Sequence, residues 1–394
     1  MTQNTAPAAE NIEAQEVTEK VAAVRAEAAA AFMSDADARP IDERRELGDV
    51  VLSVRNLTKH FPVKKGLLGK AAEYVHAVND VSFDVHRGET FAIVGESGCG
   101  KSTTGKCILR LIEPTSGDVT LDGIDFTSLK GEDLTRARQK IKLIFQDPYS
   151  SLNPRMTVQD IIAEPIDIAK TYKTRAERNA RVEEVMEMVG LDLSYKTRYP
   201  HEFSGGQRQR IGIARAIVLQ PEVAICDEPV SALDVSIQAK IINLLRQFQR
   251  DLGIAYIFIS HDLAVVKHIA DTVLVMYLGN SMELAPKDKL YDNPCHPYTK
   301  GLHGAIPRMS AGRIQDKVIL SGDVPSPTNP PSGCCFHTRC SQCMDVCTKV
   351  KPEFHEVEPG HFCACHLFDK SLDRSSEAAR NVAEKFGVEP AQQA

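Results

Sequence analysis

An α/β fold with parallel strands is predicted for this chain of 394 residues, on three observations. A glycine-rich loop, Gly95-Glu96-Ser97-Gly98-Cys99-Gly100-Lys101-Ser102, follows the apolar run Thr90–Val94 and precedes a stretch that reads as helix. From residue 204 onward, helical and strand-like patterns alternate. A second apolar run, Val223 to Cys226, ends in the adjacent carboxylates Asp227 and Glu228. Alternating strands and helices of this kind build a parallel sheet covered by helices.

The elements follow in order. Residues 1–48 are polar, acidic and rich in Ala and Glu, and read as a disordered or marginally helical extension. Val50–Val54 opens the first ordered unit as a strand, 64–70 reads as a hairpin or loop insertion, and Val75–Val85 alternates toward a second strand. His86–Glu89 is a turn, Thr90–Val94 a buried strand, and Thr103–Ile112 a helix. Residues 130–200 read as mostly helical, with interruptions at Asp147-Pro148 and Asn153-Pro154. A helix running to Leu219, a strand over Val223–Cys226, a helix over Ile237–Leu252 and a strand over Ala255–Ile259 follow. Beyond Asp292 the chain becomes rich in Pro, Gly and Cys, which marks a domain boundary. The expected units are the extension, an ordered domain over 49–292 with a helical subdomain over about 147–220, a Pro/Cys-rich region over 293–370, and a polar tail over 371–394.

Composition narrows the function. Apolar content of 43% and charged content of 25% are those of a globular protein. A net charge of −6 offers no basic footprint for nucleic acid. No apolar run reaches the length of a membrane span. Met1 to Glu19 has no basic apolar leader, so a cytosolic protein is expected.

The glycine loop matches G-x-x-x-x-G-K-[ST] at every fixed position. Its glycines let backbone N–H groups curl toward phosphate oxygens, with the N-terminus of the next helix behind them. Lys101 is placed to reach the β and γ phosphates, and the Ser102 hydroxyl to bind Mg²⁺. Asp227, at a strand's C-terminal end, suits Mg²⁺; Glu228 beside it suits orienting or activating a water. Between these motifs, Ser204-Gly205-Gly206-Gln207 places an N-cap and two glycines at a helix start, a second anion-binding device. An ordinary capped helix would carry the same residues, so this motif gains meaning only beside the others.

Taken together, the motifs resemble those of the ATP-binding subunit of ABC transporters over about residues 50–290. Gly95–Ser102, with Thr103 after it, resembles Walker A; Ser204–Gln207 the family signature; Asp227-Glu228 the end of Walker B. Ser231-Ala232-Leu233-Asp234 resembles the D-loop, Gln146 the Q-loop glutamine and His261 the switch histidine, while Phe61 stands where the family stacks an aromatic ring on adenine. The resemblance implies a P-loop NTPase fold with a RecA-like core, an antiparallel β subdomain and a helical subdomain. It implies catalytic roles for Glu228, His261 and Gln146, and Mg²⁺ held through Ser102, Gln146 and Asp227. It further implies that two such domains close head to tail on two ATPs, each phosphate loop facing its partner's signature, with Asp234 connecting the sites. Cys99 and Cys226 fill variable positions of their motifs as small buried residues.

The nearer resemblance is to peptide and nickel importers of the second ATPase type. It is carried by His60-Phe61-Pro62-Val63-Lys64-Lys65-Gly66, by Gln146-Asp147-Pro148-Tyr149 through Arg155, and by the tail from Asn293 to Cys334. It implies two separate permease subunits, a second and related ATPase subunit, an extracytoplasmic solute-binding protein acting indirectly, and a peripheral position on the cytoplasmic face of the inner membrane. Dipeptides or oligopeptides lead as cargo, with nickel or another small solute as the alternative.

Of eleven cysteines, seven fall between Cys334 and Cys365. In a cytosolic chain this density points to metal or redox chemistry. Only Cys340 and Cys343 form a C-x2-C pair, so spacing leaves zinc and an iron–sulfur cluster equally open. The tail is similar to the C-terminal region of peptide-importer ATPases, some of which carry a [4Fe–4S] cluster. The resemblance aligns its ligands with Cys334, Cys340, Cys347 and Cys365; Cys335, Cys343 and Cys363 are extra. Reduced, packed thiols are the bland alternative. His337, His355, His361 and His366 read as surface or packing residues.

Two other function classes carry different expectations. Soluble DNA-repair and chromosome ATPases insert long segments between phosphate loop and signature, whereas about a hundred residues separate Lys101 from Ser204 here. A binding protein that has lost hydrolysis would not be expected to keep Lys101, Asp227, Glu228 and His261.

Overall fold

The structure, a computed structural model, describes residues 48–64, 71–304, 320, 322–369 and 371. The acidic extension up to residue 47, the core of the 64–70 insertion and the polar tail after 371 lie outside the described residues.

β1 (Val50–Lys64) and β2 (Ala71–His86) pair antiparallel, with Leu52 opposite Val85 and Phe61 opposite Val75. β3 (Thr90–Val94) is buried along its whole length and leads through the glycine loop into α1 (Lys101–Ile108). β4 (Ser116–Leu121) and β5 (Ile124–Asp125) complete an antiparallel sheet of order β2-β1-β4-β5. α2 (Gly131–Lys140) and β6 (Ile141–Ile144) then carry the chain to α3 (Val158–Ala169), α4 (Arg175–Met188) and α5 (Gly205–Ile217). Thr157 caps α3, and Thr174 with Glu177 forms a capping box on α4, so each start is set by a local side chain. β7 (Val223–Asp227), α6 (Val235–Leu252), β8 (Ala255–Ser260), α7 (Leu263–Ile269), β9 (Thr272–Tyr277) and β10 (Asn280–Pro286) follow. The chain ends in α8 (Lys287–Asp292), α9 (Pro297–Gly304), β11 (His355–Glu358) and β12 (His361–Cys363).

The central sheet has the order β11-β12-β10-β9-β3-β8-β7-β6. Its run from β9 to β6 is parallel. Those strands are near-continuous apolar runs because helices or the second sheet cover both faces. One core packs α3, α4 and α5 against the helical side, with Val182, Val185 and Ile211 buried; the other packs α1 and the antiparallel sheet against the opposite face.

Three elements differ from the sequence reading. β6 lies inside the segment read as mostly helical; Ile141-Lys142-Leu143-Ile144 is too short to show a period, and pairing with β7 makes it a strand. α1 starts at Lys101 and stops at Ile108, with Arg110 in a left-handed conformation (φ 52°) that cannot continue a helix. The Cys-rich region returns to the core sheet: β12 pairs antiparallel with β10, Glu283 opposite Cys363, and β11 adds the outer edge.

Candidate functional site

The glycine loop sits at the C-terminal end of β3, at the N-terminus of α1. Two of its glycines cannot be replaced in this conformation. Gly95 (φ 151°) approaches the Met276 carbonyl so closely that a Cβ would stand 2.2 Å from it, and at Gly100 (φ 103°) a Cβ would stand 2.1 Å from the Ala77 carbonyl. The loop is further tied to its surroundings by Gly279 N–H donating to the Cys99 carbonyl at 2.9 Å. Lys101 is buried, its Nζ donating to the carbonyls of Gly95 and Glu96 at 2.8 and 2.9 Å. Both contacts are to the loop itself, so the ammonium is held over the concave side formed by its own backbone. Cys99 and Cys226 are buried as expected of small filler residues, and burial pushes both thiols up.

The Ser102 hydroxyl donates to Asp227 Oδ1 at 2.6 Å, joining the start of α1 to the end of β7. Burial pushes the Asp227 carboxyl up, while the Ser102 bond and nearby Lys106 partly offset it. Glu228 follows with φ 45°, a left-handed conformation costly for a residue with a Cβ, and its N–H donates to the Ile259 carbonyl at 3.0 Å. That turn aims its side chain between two partners. Gln146 Nε2 donates to Oε2 at 3.0 Å, and His261 Nδ1 lies 3.2 Å from Oε1. Parallel pairing brings these three together, because β6, β7 and β8 are neighbours in the sheet.

Ser204 caps α5: its Oγ accepts from Gln207 N, and Gln207 Oε1 accepts from Ser204 N at 3.1 Å. Gly206 lies against Ile237, where a Cβ would stand 2.7 Å from the Ile237 side chain. Asp234 caps α6 through Ile237 N at 3.0 Å, and its Ser236 and Ile237 bonds hold the carboxyl below the usual range. Ser204, Gln207 and Asp234 bond within their own helix starts, while Gly205 and Gly206 lie against Leu233 and Ile237 on either side of Asp234. Phe61 lies on β1, half-exposed, with Lys59 Nζ 5.0 Å from its ring centre.

The C-terminal region buries most of its thiols. Cys334, Cys347 and Cys365 are buried, and Cys334 N–H donates to the Cys347 carbonyl at 2.8 Å. Burial first, and then the charges of Cys365 and Cys347, push Cys340 up to about 12. Burial, with Cys365 beside it, pushes the Cys363 thiol up, and the neighbouring Cys363 side chain holds Cys365 below its ordinary value. Among the described residues, the ligand-type group whose donor atoms lie within 4.8 Å of one another is a different one: Glu283, Cys295 and His361. There Glu283 is a satisfied buried carboxylate, accepting from Cys295 N at 2.7 Å, His296 N at 2.9 Å and His361 Nε2 at 2.7 Å. His361 and His366 are buried, the second with its Nε2 2.9 Å from the Val350 carbonyl.

Sequence reasoning missed two contacts onto the loop. Arg339 Nη1 and Nη2 donate to Glu96 Oε2 and Oε1 at 2.6 and 3.0 Å. Glu96 N–H donates to Tyr298 Oη at 2.9 Å. Both partners come from the region beyond residue 292, and no local motif advertises a pairing across so long a stretch of chain.

A glycine loop between strand and helix at the C-terminal edge of a parallel sheet, with a serine bonded to a strand-end aspartate, defines the P-loop ATPase class. Residues 78–231 match the family model described as ABC transporter, and residues 282–347 match that of the oligopeptide/dipeptide transporter C-terminal region. The oligopeptide transport ATP-binding protein AppF of Bacillus subtilis is 52% identical over 323 residues, covering 81% of this chain and 98% of that protein. A putative peptide import ATP-binding protein of Brucella ovis is 50% identical, covering 80% and 97%. Among solved structures, the ATP-binding cassette MJ0796, described as dimeric and bound to ADP and Pi, has a TM-score of 0.54 at 30% identity, covering 60% of this chain and 98% of that one. CbiO1 of Clostridium perfringens has a TM-score of 0.53 at 27% identity, covering 62% and 92%. The chain belongs to the ABC transporter ATP-binding proteins, and its C-terminal region is of the oligopeptide/dipeptide transporter type. It is therefore an ATPase coupled to transport.

Proposed function

We propose that this chain is an ATP-hydrolysing subunit of an importer for dipeptides or oligopeptides. The observation that carries the reading is the convergence of Lys101, Ser102, Gln146, Asp227, Glu228 and His261 at one end of the sheet. Lys101 would exchange its two loop carbonyls for β and γ phosphate oxygens. Ser102 and Asp227, already bonded, supply the hard oxygen donors that Mg²⁺ prefers, and Gln146, bonded to Glu228 next to Asp227, would complete the set. Bound Mg²⁺ would neutralise charge on the β and γ phosphates. Glu228 is the base that accepts the attacking water's proton, flanked by Gln146 and His261. Phe61 would stack on adenine, and the Ser204–Gln207 turn of a second ATPase chain would cap the γ phosphate, with Asp234 near that boundary.

The same reading assigns the domain limits. Residues 49–292 form the ATP-binding unit, 147–220 its helical part, and 293–370 the peptide-importer region. The partners would be two permeases and a related ATPase chain at the cytoplasmic face of the membrane; no helix among the described residues is long and apolar enough to cross it. Nickel or another small solute is the alternative cargo. For the thiols, Cys334, Cys340, Cys347 and Cys365 would hold a [4Fe–4S] cluster that staples a region with a small core of its own. Zn²⁺ is the alternative on the same thiols.

Reconstitution tests the reading. The chain should hydrolyse ATP slowly by itself, since one copy offers half of each γ-phosphate clamp, and fast in vesicles with its permeases, partner ATPase and binding protein. Uptake of labelled peptide should track hydrolysis, and Gln146→Ala should impair uptake more than ATP binding. Equal rates for the lone chain and the complex, with normal uptake by Gln146→Ala, would overturn it. Labelled nickel entering in place of peptide would select the other cargo.

A further inference from the structure

The phosphate loop carries an acidic residue, Glu96, where an anionic ligand would sit. Its carboxylate is 26% exposed, and both oxygens are taken by one guanidinium, that of Arg339, which is 5% exposed. Planar, two-point contact of this kind fixes orientation as well as charge. Arg339 is itself held in place. Its Nη1 lies 3.4 Å from Tyr277 Oη, and it closes the short turn His337–Arg339, whose first N–H donates to the Cys334 carbonyl. Cys340 follows immediately, and its N–H donates to the His337 carbonyl. The backbone of Glu96 is bound by the same region, through Tyr298 Oη. Tyr277, Tyr298 and Phe336 pack together beneath these contacts, with ring centres 4.8 to 5.3 Å apart.

We propose that Arg339 is a positioning residue of the nucleotide site: it neutralises Glu96 and holds that side chain off the phosphate path, so that the C-terminal region sets the affinity of the phosphate loop for ATP. This rests on the ATP-binding reading of the loop. A carboxylate released from Arg339 would face the triphosphate with an uncompensated negative charge in a partly desolvated place, where repulsion is strong. The C-terminal region would thereby act on hydrolysis without supplying an atom to the reaction. Because Arg339 is braced by the Cys334–Cys340 turn, ATP binding and the order of that turn should be linked in both directions.

A double-mutant cycle tests the pair, using equilibrium binding of a fluorescent ATP analogue with Mg²⁺ to the full chain. Arg339→Gln should weaken binding by about 5- to 30-fold, within the range of ordinary coupling between sites. Glu96→Gln should tighten binding by a few-fold, because it leaves the guanidinium unpaired beside the phosphates. The double variant should bind close to the parent level, and Arg339→Lys should fall between parent and Arg339→Gln. The Arg339→Gln defect should shrink in high salt, as charge repulsion does. A merely structural contact would weaken binding in both single variants and worsen it in the double, and that pattern would overturn the proposal. Parent-level binding by Arg339→Gln would overturn it too. Lys101→Ala is the control for the ATP reading: if it binds normally, the reading of the loop fails, whereas if it loses binding while Arg339→Gln does not, only the positioning role fails. Should Arg339→Gln not fold, Arg339→Lys and Glu96→Gln carry the test, the first expected to weaken binding and the second to tighten it, and parent-level binding by both would overturn the proposal.

Discussion

Replacing Glu228 by Gln separates chemistry from architecture. The carboxylate has two neighbours, Gln146 Nε2 at 3.0 Å and His261 Nδ1 at 3.2 Å. An amide of the same shape can keep both. Its oxygen accepts from Gln146, and its NH₂ donates to His261 Nδ1 when the imidazole carries its proton on Nε2. The left-handed backbone at this position is unchanged, since neither side chain relieves it. Stability should therefore move by less than about 0.5 kcal/mol, the range for substitutions that break no named feature. Turnover should not survive. Loss of a general base typically removes a factor of about 10² to 10⁴, which is at least about 2.7 kcal/mol of barrier. The assay is steady-state phosphate release by the reconstituted complex, with bound ATP counted after rapid separation. The expected result is ATP retained stoichiometrically, turnover down about a hundredfold or more, and an unmoved melting temperature. Turnover within about threefold of the parent would refute the assignment of the base, and a large drop in melting temperature would refute the claim that the network tolerates the amide.

Two further outcomes follow from the C-terminal region. Protein prepared without oxygen should contain iron and acid-labile sulfide and absorb visible light; stoichiometric zinc without sulfide would replace the cluster by a thiolate zinc site. His296 is buried, accepts from Tyr298 N at 3.0 Å, and burial lowers its pKa from 6.5 to about 4. The unfolded chain takes up this proton first, so its stability contribution is complete above about pH 6.5 and is lost as pH falls toward about 4, a loss on the order of 3 kcal/mol. Urea midpoints followed from pH 7 to pH 4 should show that decline, and His296→Gln should flatten it; an unchanged slope would exclude His296 as its source.

Much of this protein was legible because its chemistry is written in contiguous stretches. The phosphate loop, the Ser204 capping box and the Asp227-Glu228 strand end each depend on neighbours within a few residues, so glycine freedom, capping and apolar runs disclose them without a fold. Tertiary structure decided what depends on partners far along the chain. β6 is a strand only because β7 lies beside it, and β11 and β12 join the core sheet only through β10. Gln146, Glu228 and His261 meet because parallel pairing aligns the ends of three strands that are separate in sequence. The longest of these dependences is Arg339 on Glu96, 243 residues apart. A charge pair carries no periodicity and no turn signal, so neither residue points to the other until the sheet edge and the thiol-rich turn bring a buried guanidinium against the phosphate loop.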